Sequence, residues 1–276
     1  MNYNNLWQRL TKVYDADEAK AVIRWVLDVG FGLTTTDIYC GKAETLSETD
    51  EQRLEAIMLR MEKAEPVQYV LGVADFCGRQ FHVAPGVLIP RPETEELCRW
   101  IISHGERECL LDIGTGSGCI AITLAAEIPN AKVTAWDISD DALIIARENA
   151  KALHTNVTFE KRDALNLPAD LERWDLIVSN PPYIDEATER PAMSRNVLDY
   201  EPHIALFGPK DEPDLFYRRI GEYAIRSLRP SGRLYFELNP LTAQSVADYL
   251  QSLGFGEVEM RQDQFGKNRF LKAIKI

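Results

Sequence analysis

The chain has 276 residues, of which 45% are hydrophobic and 27% charged; this ordinary globular composition excludes collagen-like, low-complexity and disordered classes. A formal charge of −12 without any basic run argues against a protein whose main role is binding the phosphate backbone of nucleic acids. The same charge is better suited to a basic protein partner. The apolar runs are far shorter than the ~18 residues of a membrane span, no secretory signal opens the chain, and the five cysteines form no CxxC pair. These features predict a cytoplasmic protein with no structural disulfide, no metal site and no membrane association.

Residues 1–65 are predicted to be helical. Asp15 or Asp17 is placed to cap one helix and Ser47 or Thr49 to cap a second long one, and each cap is followed by apolar residues at helical spacing. We interpret the apolar stripes as core packing in a small bundle, because this region contains no cluster of titratable side chains.

The pattern changes after the helical region. The segment around Phe76–Val83 predicts a β-hairpin that turns near Gly78. We therefore expect a helical domain over residues 1–72, a hairpin linker over 73–88 and a larger domain over 89–276.

Strands and helices alternate from about residue 109 onward. This alternation predicts βαβ units, a mostly parallel sheet and helices on both of its faces, closed by an antiparallel strand at the C-terminus. The first helix after a strand is predicted over Cys119–Glu127. The predicted strands are Cys109–Ile113, Lys132–Trp136, Val157–Glu160, Trp174–Ser179, Arg233–Leu238, Gly256–Arg261 and Asn268–Ile274.

A glycine-rich turn follows the first strand of this domain. Asp112 precedes Gly114, Gly116 and Gly118, and the third glycine comes two residues after the second, one residue too early for the dinucleotide fingerprint. Glycines let the backbone pass close beneath a ligand. The acid-x-Gly-x-Gly-x-Gly pattern resembles Rossmann-like methyltransferases that use S-adenosylmethionine, whose α-amino group an acid such as Asp112 can approach.

Two further acids follow the next strands. Asp137 ends the second strand, 19 residues beyond Gly118, where a carboxylate can accept hydrogen bonds from both ribose hydroxyls. Asp163 follows the third strand and is placed to reach the adenine amino group. A single aspartate after a strand is commonly a helix cap, but acids at successive strand ends together favour an adenosine site.

The fourth strand ends in Asn180-Pro181-Pro182-Tyr183. A planar amino group is a poor nucleophile because its lone pair is delocalised. The Asn180 side-chain oxygen and the Pro181 carbonyl can accept its two hydrogens, orient the nitrogen and stabilise the positive charge that develops during methyl transfer. Tyr183 can stack on the planar group, and no general base is required.

The chain from about residue 66 to its end resembles the release factor glutamine methyltransferases, the HemK or PrmC family, and the helical N-terminal region is compatible with that family. Beyond the two motifs above, three stretches carry the resemblance: Pro66–Gly72, Ile89–Glu95 (Ile-Pro-Arg-Pro-Glu-Thr-Glu) and Asp199–His203.

The resemblance implies a methyltransferase that takes S-adenosylmethionine, releases S-adenosylhomocysteine and modifies the Gly-Gly-Gln glutamine of class I peptide chain release factors. The helical domain would grip the rest of the release factor. The implied substrate residues are Asn180, Pro181, Pro182 and Tyr183, and the implied cofactor residues are Gly114, Thr115, Gly116, Ser117, Gly118, Asp137, Asp163, Ala164 and Asn180. Ala164 departs from family members that carry an aromatic residue at this position.

Three alternatives stay open at this level. The Asn-Pro-Pro-Tyr motif also serves adenine-amino nucleic-acid methyltransferases, although the acidic N-terminal region, with nine basic and thirteen acidic side chains over residues 1–80, does not favour stable nucleic-acid binding. The same site chemistry would also methylate a glutamine side chain of a ribosomal protein. A noncatalytic S-adenosylmethionine sensor would not need Asn180 and Pro181.

Overall fold

The computed structural model describes residues 2–105, 108–210 and 212–276. Its contacts divide the chain into two compact units. The first comprises the described residues of Met1–Val73 together with Ser194–Tyr200, and the second comprises Ala74–Met193 and Glu201–Ile276. Among the described residues, no helix combines the length and the apolar character needed to cross a membrane.

The first unit is helical, as predicted. Asp15 caps its second helix by accepting hydrogen bonds from the backbone N–H groups of Asp17 and Glu18, and Ser47 caps its fourth. The last helix of this region was not predicted. The helices are α1 (Tyr3–Arg9), α2 (Ala16–Phe31), α3 (Thr35–Tyr39), α4 (Glu48–Met61) and α5 (Val67–Leu71).

The predicted hairpin follows the boundary between the units, which falls after the first residue of β1; in it β1 (Val73–Phe76) pairs with β2 (Arg79–His82). Helix α6 (Pro92–Ser103) follows and leads into a seven-stranded sheet. The sheet strands are β3 (Cys109–Ile113), β4 (Lys132–Asp137), β5 (Val157–Lys161), β6 (Trp174–Ser179), β7 (Leu228–Glu237), β8 (Glu259–Gln262) and β9 (Asn268–Ile274).

The strand order is β5-β4-β3-β6-β7-β9-β8. Strands β3 to β7 run parallel, and β9 runs antiparallel to both β7 and β8, which confirms the predicted sheet with its antiparallel closing strand. Helices pack on both faces of the sheet: α6 and the next two helices share one apolar core with it, and the last two helices of the chain share the other. The helices that follow α6 along the chain are α7 (Cys119–Glu127), α8 (Asp140–Ala152), α9 (Glu186–Glu189), α10 (Arg195–Tyr200), α11 (His203–Leu206), α12 (Leu215–Ser227) and α13 (Ala243–Ser252), of which α10 belongs to the first unit.

Strand β7 is longer than the predicted Arg233–Leu238. Leu228 already pairs with Trp174 of β6, and the register then shifts before Arg233 pairs with Leu176. Ser231, inside the shifted stretch, has a positive φ of 62°. The Pro-Ser-Gly sequence that precedes the predicted strand is therefore an irregularity within one longer strand.

A buried asparagine ties the hairpin to the glycine-rich turn. The Asn149 side chain, on α8, accepts a hydrogen bond from His82 N at 2.7 Å and donates to His82 O at 3.0 Å. It also donates to Ser117 O at 2.9 Å. One side chain thus pairs three backbone groups, of which the Ser117 carbonyl lies in a buried position.

Replacing Asn149 with Ala should lower the free energy of unfolding by about 3 kcal/mol, because a buried side chain is truncated and three backbone groups, the buried Ser117 carbonyl among them, lose their partner together. Chemical denaturation measures the loss. The matched control is Glu148→Ala at the exposed neighbouring position of the same helix, for which we expect a change within about 0.5 kcal/mol. Equal stability of the two variants would contradict the bridging role of Asn149.

Candidate active site

The glycine-rich turn connects β3 to α7 at the carboxyl end of the sheet. Gly114, Gly116 and Gly118 have positive φ values of 77°, 55° and 82°. A Cβ added at Gly114 or Gly116 would meet nothing within 4 Å, whereas at Gly118 it would lie 2.9 Å from Ile122 Cδ1. The first two glycines therefore leave open space above the backbone, and the third allows close packing of the turn against its helix.

A cavity of about 300 Å³ lies above this turn, within the second unit. Its walls are mostly apolar, as expected for a small-molecule site. Of the predicted residues, those that line it are Gly114, Gly116, Asp137, Asp163, Ala164, Asn180, Pro181 and Pro182. Side chains that sequence reasoning did not identify complete the walls, among them Val87, Leu88, Ile138, Arg162, Leu165, Ile204 and Phe216.

Asp112 lies beneath the turn and is not among the lining residues. Its Oδ2 accepts hydrogen bonds from Thr115 Oγ1 at 2.6 Å and from Ala121 N at 3.2 Å. Burial raises the pKa of this carboxyl to about 7. Thr115 and Ser117 are likewise buried, and the contact of these three residues with a cofactor stays a prediction.

Asp137 ends β4 and reaches the cavity. Its Oδ2 accepts a hydrogen bond from Gly116 N at 2.8 Å and its Oδ1 accepts one from Ser139 N at 2.9 Å. Burial raises the pKa of Asp137, and hydrogen bonds from the backbone N–H groups of Ser139, Gly116 and Ile138 oppose that shift. A carboxylate has about four acceptor positions, so both oxygens keep room for hydroxyl donors of a ligand.

Asp163 and Ala164 follow β5 and form another part of the wall. Asp163 Oδ1 accepts a hydrogen bond from Leu165 N at 2.8 Å, which holds the turn. Both residues are half-buried. The small Ala164 packs against the sheet core, and the exposed side chains of Ile138 and Leu165 supply apolar surface beside it.

Asn180 ends the neighbouring strand, β6. The Ser179 hydroxyl donates to Ile113 O at 2.6 Å and so ties the ends of β6 and β3 together. Asn180 Nδ2 donates to Thr94 Oγ1 at 3.3 Å, and within the described part of the chain its Oδ1 accepts no hydrogen bond. Pro181 is buried and Pro182 half-buried at the cavity wall.

Tyr183 is half-buried and is not among the lining residues. Its hydroxyl donates to Glu237 Oε1 at 3.1 Å. Burial raises the pKa of the phenol, and the adjacent Glu237 carboxylate acts in the same direction. The predicted stacking role of Tyr183 stays a prediction.

Two buried glutamates near the site were missed by sequence reasoning. Glu237 ends β7, and burial raises its pKa while the Thr94 hydroxyl and the charge of Arg269 lower it. Glu201 accepts hydrogen bonds from Ile89 N at 3.2 Å and from Arg91 Nη2 at 2.5 Å. The sequence features that could have identified them are, for Glu237, an acid at the end of a predicted strand and, for Glu201, an acid within the Asp-Tyr-Glu-Pro-His stretch.

Asp137, Asp163 and Asn180 bring hydrogen-bond acceptors to the cavity, at or after the ends of β4, β5 and β6. Carboxylates stand at the ends of β4 and β5, and an amide oxygen stands at the end of β6. Among residues 2–105, 108–210 and 212–276, no group of three or more His, Cys, Asp or Glu side chains is arranged to hold a metal ion.

Comparison with known families gives two matches along the chain. The model of the methyltransferase small domain matches residues 94–202, and that of the PrmC N-terminal domain matches residues 5–72. The glycine-rich turn and the Asn-Pro-Pro-Tyr corner both lie within the first of these matches.

Among solved structures, a methyltransferase from Pyrococcus furiosus aligns over 83% of this chain and 99% of its own with a TM-score of 0.52 and 19% identity. This similarity supports the Rossmann-like methyltransferase fold.

Curated relatives match both halves of the chain. The release factor glutamine methyltransferase of Bacteroides thetaiotaomicron is 47% identical over 96% of this chain and 96% of its own length. Its counterpart from Flavobacterium psychrophilum is 38% identical over 96% and 95%. Identity at this level along nearly the whole length is not explained by a shared domain alone. The chain belongs to the release factor glutamine methyltransferase family.

Proposed function

We propose that this protein transfers a methyl group from S-adenosylmethionine to the side-chain amide nitrogen of the Gly-Gly-Gln glutamine in class I peptide chain release factors. The observation that carries the proposal is that one cavity is lined both by the open glycines of the β3 turn and by Asn180 and Pro181. The relatives that match over both halves of the chain are named for this release factor glutamine activity.

The residues present fit the cofactor. Gly114 and Gly116 leave open the space that a Cβ would fill, and the Asp137 carboxylate is held at the cavity by two backbone N–H groups. In this proposal Asp137 accepts hydrogen bonds from the ribose hydroxyls, Asp163 from the adenine amino group, and Ala164 packs beside the base. Asp112, Thr115, Ser117 and Gly118 support the turn from below.

When bound, S-adenosylmethionine supplies a methyl group on a positively charged sulfur and departs as S-adenosylhomocysteine. Asn180 Oδ1 and the Pro181 carbonyl accept the two hydrogens of the glutamine amide, which directs its nitrogen toward the methyl carbon. The same acceptors stabilise the positive charge that grows on the nitrogen as the N–C bond forms. The alkylated nitrogen then loses one proton, so no basic side chain is required.

We assign the helical region, residues 1–72, to binding the body of the release factor. The hairpin region, residues 73–88, links it to the methyltransferase region, residues 89–276. We place the protein in the cytoplasm, where peptide release occurs, with no stable nucleic-acid or membrane partner. All five cysteines have free thiols, which suits a reducing compartment.

The function is tested by methyl incorporation from labelled S-adenosylmethionine. The enzyme is mixed separately with a class I release factor, with the same factor carrying Gln→Ala in its Gly-Gly-Gln motif, and with unmethylated DNA. We expect label in the intact factor alone. Label in DNA, in the alanine factor, or in no sample would contradict the proposal.

Replacing Asn180 with Ala should reduce kcat by about 100- to 1000-fold, because a positioned hydrogen-bond acceptor at the reacting nitrogen is lost. The affinity for S-adenosylmethionine, measured by calorimetry, should remain within a few fold of the wild type. The control Asn156→Ala changes an exposed asparagine outside the cavity and should leave kcat unchanged. Loss of cofactor binding in Asn180→Ala would remove Asn180 from the proposed substrate role.

Replacing Asp137 with Ala should weaken S-adenosylmethionine binding at least tenfold. The variant loses acceptors for the ribose, where a hydrogen bond to a charged group contributes about 1.5–3 kcal/mol, and it also releases the Gly116 N–H. Calorimetric titration measures the affinity. Asp140→Ala, which removes an exposed carboxylate paired with Lys161, serves as control, and equal affinities of the two variants would exclude Asp137 from the ribose site.

A further inference from the structure

A buried chain of hydrogen bonds runs from Asn180 to the end of β7. Asn180 Nδ2 donates to Thr94 Oγ1 at 3.3 Å, and Thr94 Oγ1 donates to Glu237 Oε2 at 2.7 Å. Thr94 and Glu237 are each only 2% exposed. Solvent therefore does not compete for the bond between Thr94 and Glu237, and Asn180, which is half-buried at the cavity wall, meets this buried pair from one end.

The direction of each bond follows from the chemistry of its groups. A carboxylate only accepts hydrogen bonds, and a hydroxyl has a single hydrogen, so Thr94 gives that hydrogen to Glu237. Thr94 then presents only lone pairs to Asn180. The Asn180 amide must therefore donate to Thr94 with its NH₂ group, because its oxygen would be repelled by the lone pairs of the hydroxyl.

The second oxygen of Glu237 is also engaged. Tyr183 OH lies 3.1 Å from Glu237 Oε1, and Arg269 Nη1 lies 3.5 Å from the same phenol oxygen. Arginine cannot accept a hydrogen bond, so the phenol proton points to Glu237. Both carboxylate oxygens consequently receive hydrogens, one from Tyr183 and one from Thr94.

We propose that Glu237 and Thr94 are positioning residues that lock the Asn180 amide with its oxygen toward the cavity, where the glutamine amide is accepted. This inference rests on the proposed function. It assigns a task to the threonine of the Ile-Pro-Arg-Pro-Glu-Thr stretch. It also means that having Asn180 at the site is not sufficient: its side-chain oxygen has to face the cavity.

The test reverses the donor and acceptor roles in the hydrogen bonds that link residue 180, Thr94 and residue 237. In Glu237→Gln, the new amide oxygen takes the Tyr183 hydrogen, and its NH₂ group donates to Thr94. The Thr94 hydrogen then turns to residue 180, and the Asn180 amide flips so that its NH₂ faces the cavity. We expect kcat to fall about 100-fold, with the affinity for S-adenosylmethionine within a few fold of the wild type.

A double variant restores the acceptor. In Asn180→Asp alone, two carboxylates compete for the single Thr94 hydrogen, and kcat should fall by a similar factor. In the Asn180→Asp, Glu237→Gln double variant, the introduced glutamine donates to Thr94, and Thr94 donates to the introduced aspartate, whose other oxygen faces the cavity. The double variant should therefore recover to within about tenfold of the wild type and exceed both single variants.

A second readout does not depend on turnover. Calorimetry measures how tightly the release factor binds in the presence of S-adenosylhomocysteine, and the same order, wild type and double variant above both singles, is expected. Thermal unfolding of each variant accompanies these measurements. Glu222→Gln is the matched control, since Glu222 also accepts a hydrogen bond from a tyrosine, Tyr249, but lies outside the cavity.

The outcomes separate the two proposals. If the wild type does not methylate the release factor, the proposed function fails. If it does, the positioning role is overturned by wild-type kcat in Glu237→Gln or by a double variant that does not exceed both single variants. A double variant that surpasses both single variants in kcat and in release-factor binding supports it, because structural damage from two substitutions does not cancel.

Discussion

The pairing of β3 with β6 at the centre of the sheet is the constraint on which the site depends. Their register sets Ile113 opposite Ser179, and the Ser179 hydroxyl closes the pair by donating to Ile113 O. Both strands run in the same direction, so the residues that follow each, Gly114 and Asn180, leave the sheet at one edge. A one-residue slip in this register would move every side chain of the strand to the opposite face.

Two acids at this edge, Asp112 and Asp137, differ in their hydrogen-bond partners and in their exposure to the cavity. Asp112 accepts from Thr115 and Ala121 and supports the turn from below. Asp137 accepts from two backbone N–H groups but remains at the cavity. Burial raises the pKa of both carboxyls, while the donors around each oppose the shift. The sheet thus buries Asp112 beneath the turn and leaves Asp137 at the cavity wall.

The sequence predicted those parts of the structure that local pattern determines. Strands β3, β6 and β9 and helix α7 have the predicted bounds, because apolar runs and glycines mark their ends. The irregular start of β7 was missed, because Pro230 and Gly232 are typical of turns, and the strand continues only through its pairing with β6.

The hydrogen bonds of the site could not be predicted in the same way. Thr94 and Glu237 lie 143 positions apart, and the contact between them depends on how α6 packs near the end of β7. Asn149 likewise pairs with His82 across 67 positions. The residue types in these two pairs do not indicate that they are in contact. The glycines and Asn180, in contrast, belong to short motifs that can be recognised from neighbouring residues.

In the proposed mechanism an amide is a useful acceptor at the reacting nitrogen because it is neutral. Its orientation is ambiguous, however, since its oxygen and NH₂ ends differ little in shape. A carboxylate at this position would avoid the ambiguity and would introduce a charge beside Glu237. The structure instead places the charge two hydrogen bonds away, at the end of the next strand, and transmits its effect through Thr94. Because Glu237 also receives the Tyr183 hydroxyl, one buried charge holds both the amide and the phenol that follow β6. The prolines of Asn-Pro-Pro-Tyr restrict only the backbone of this corner, whereas the side chains on either side of them are held by hydrogen bonds that lead to Glu237 at the end of β7.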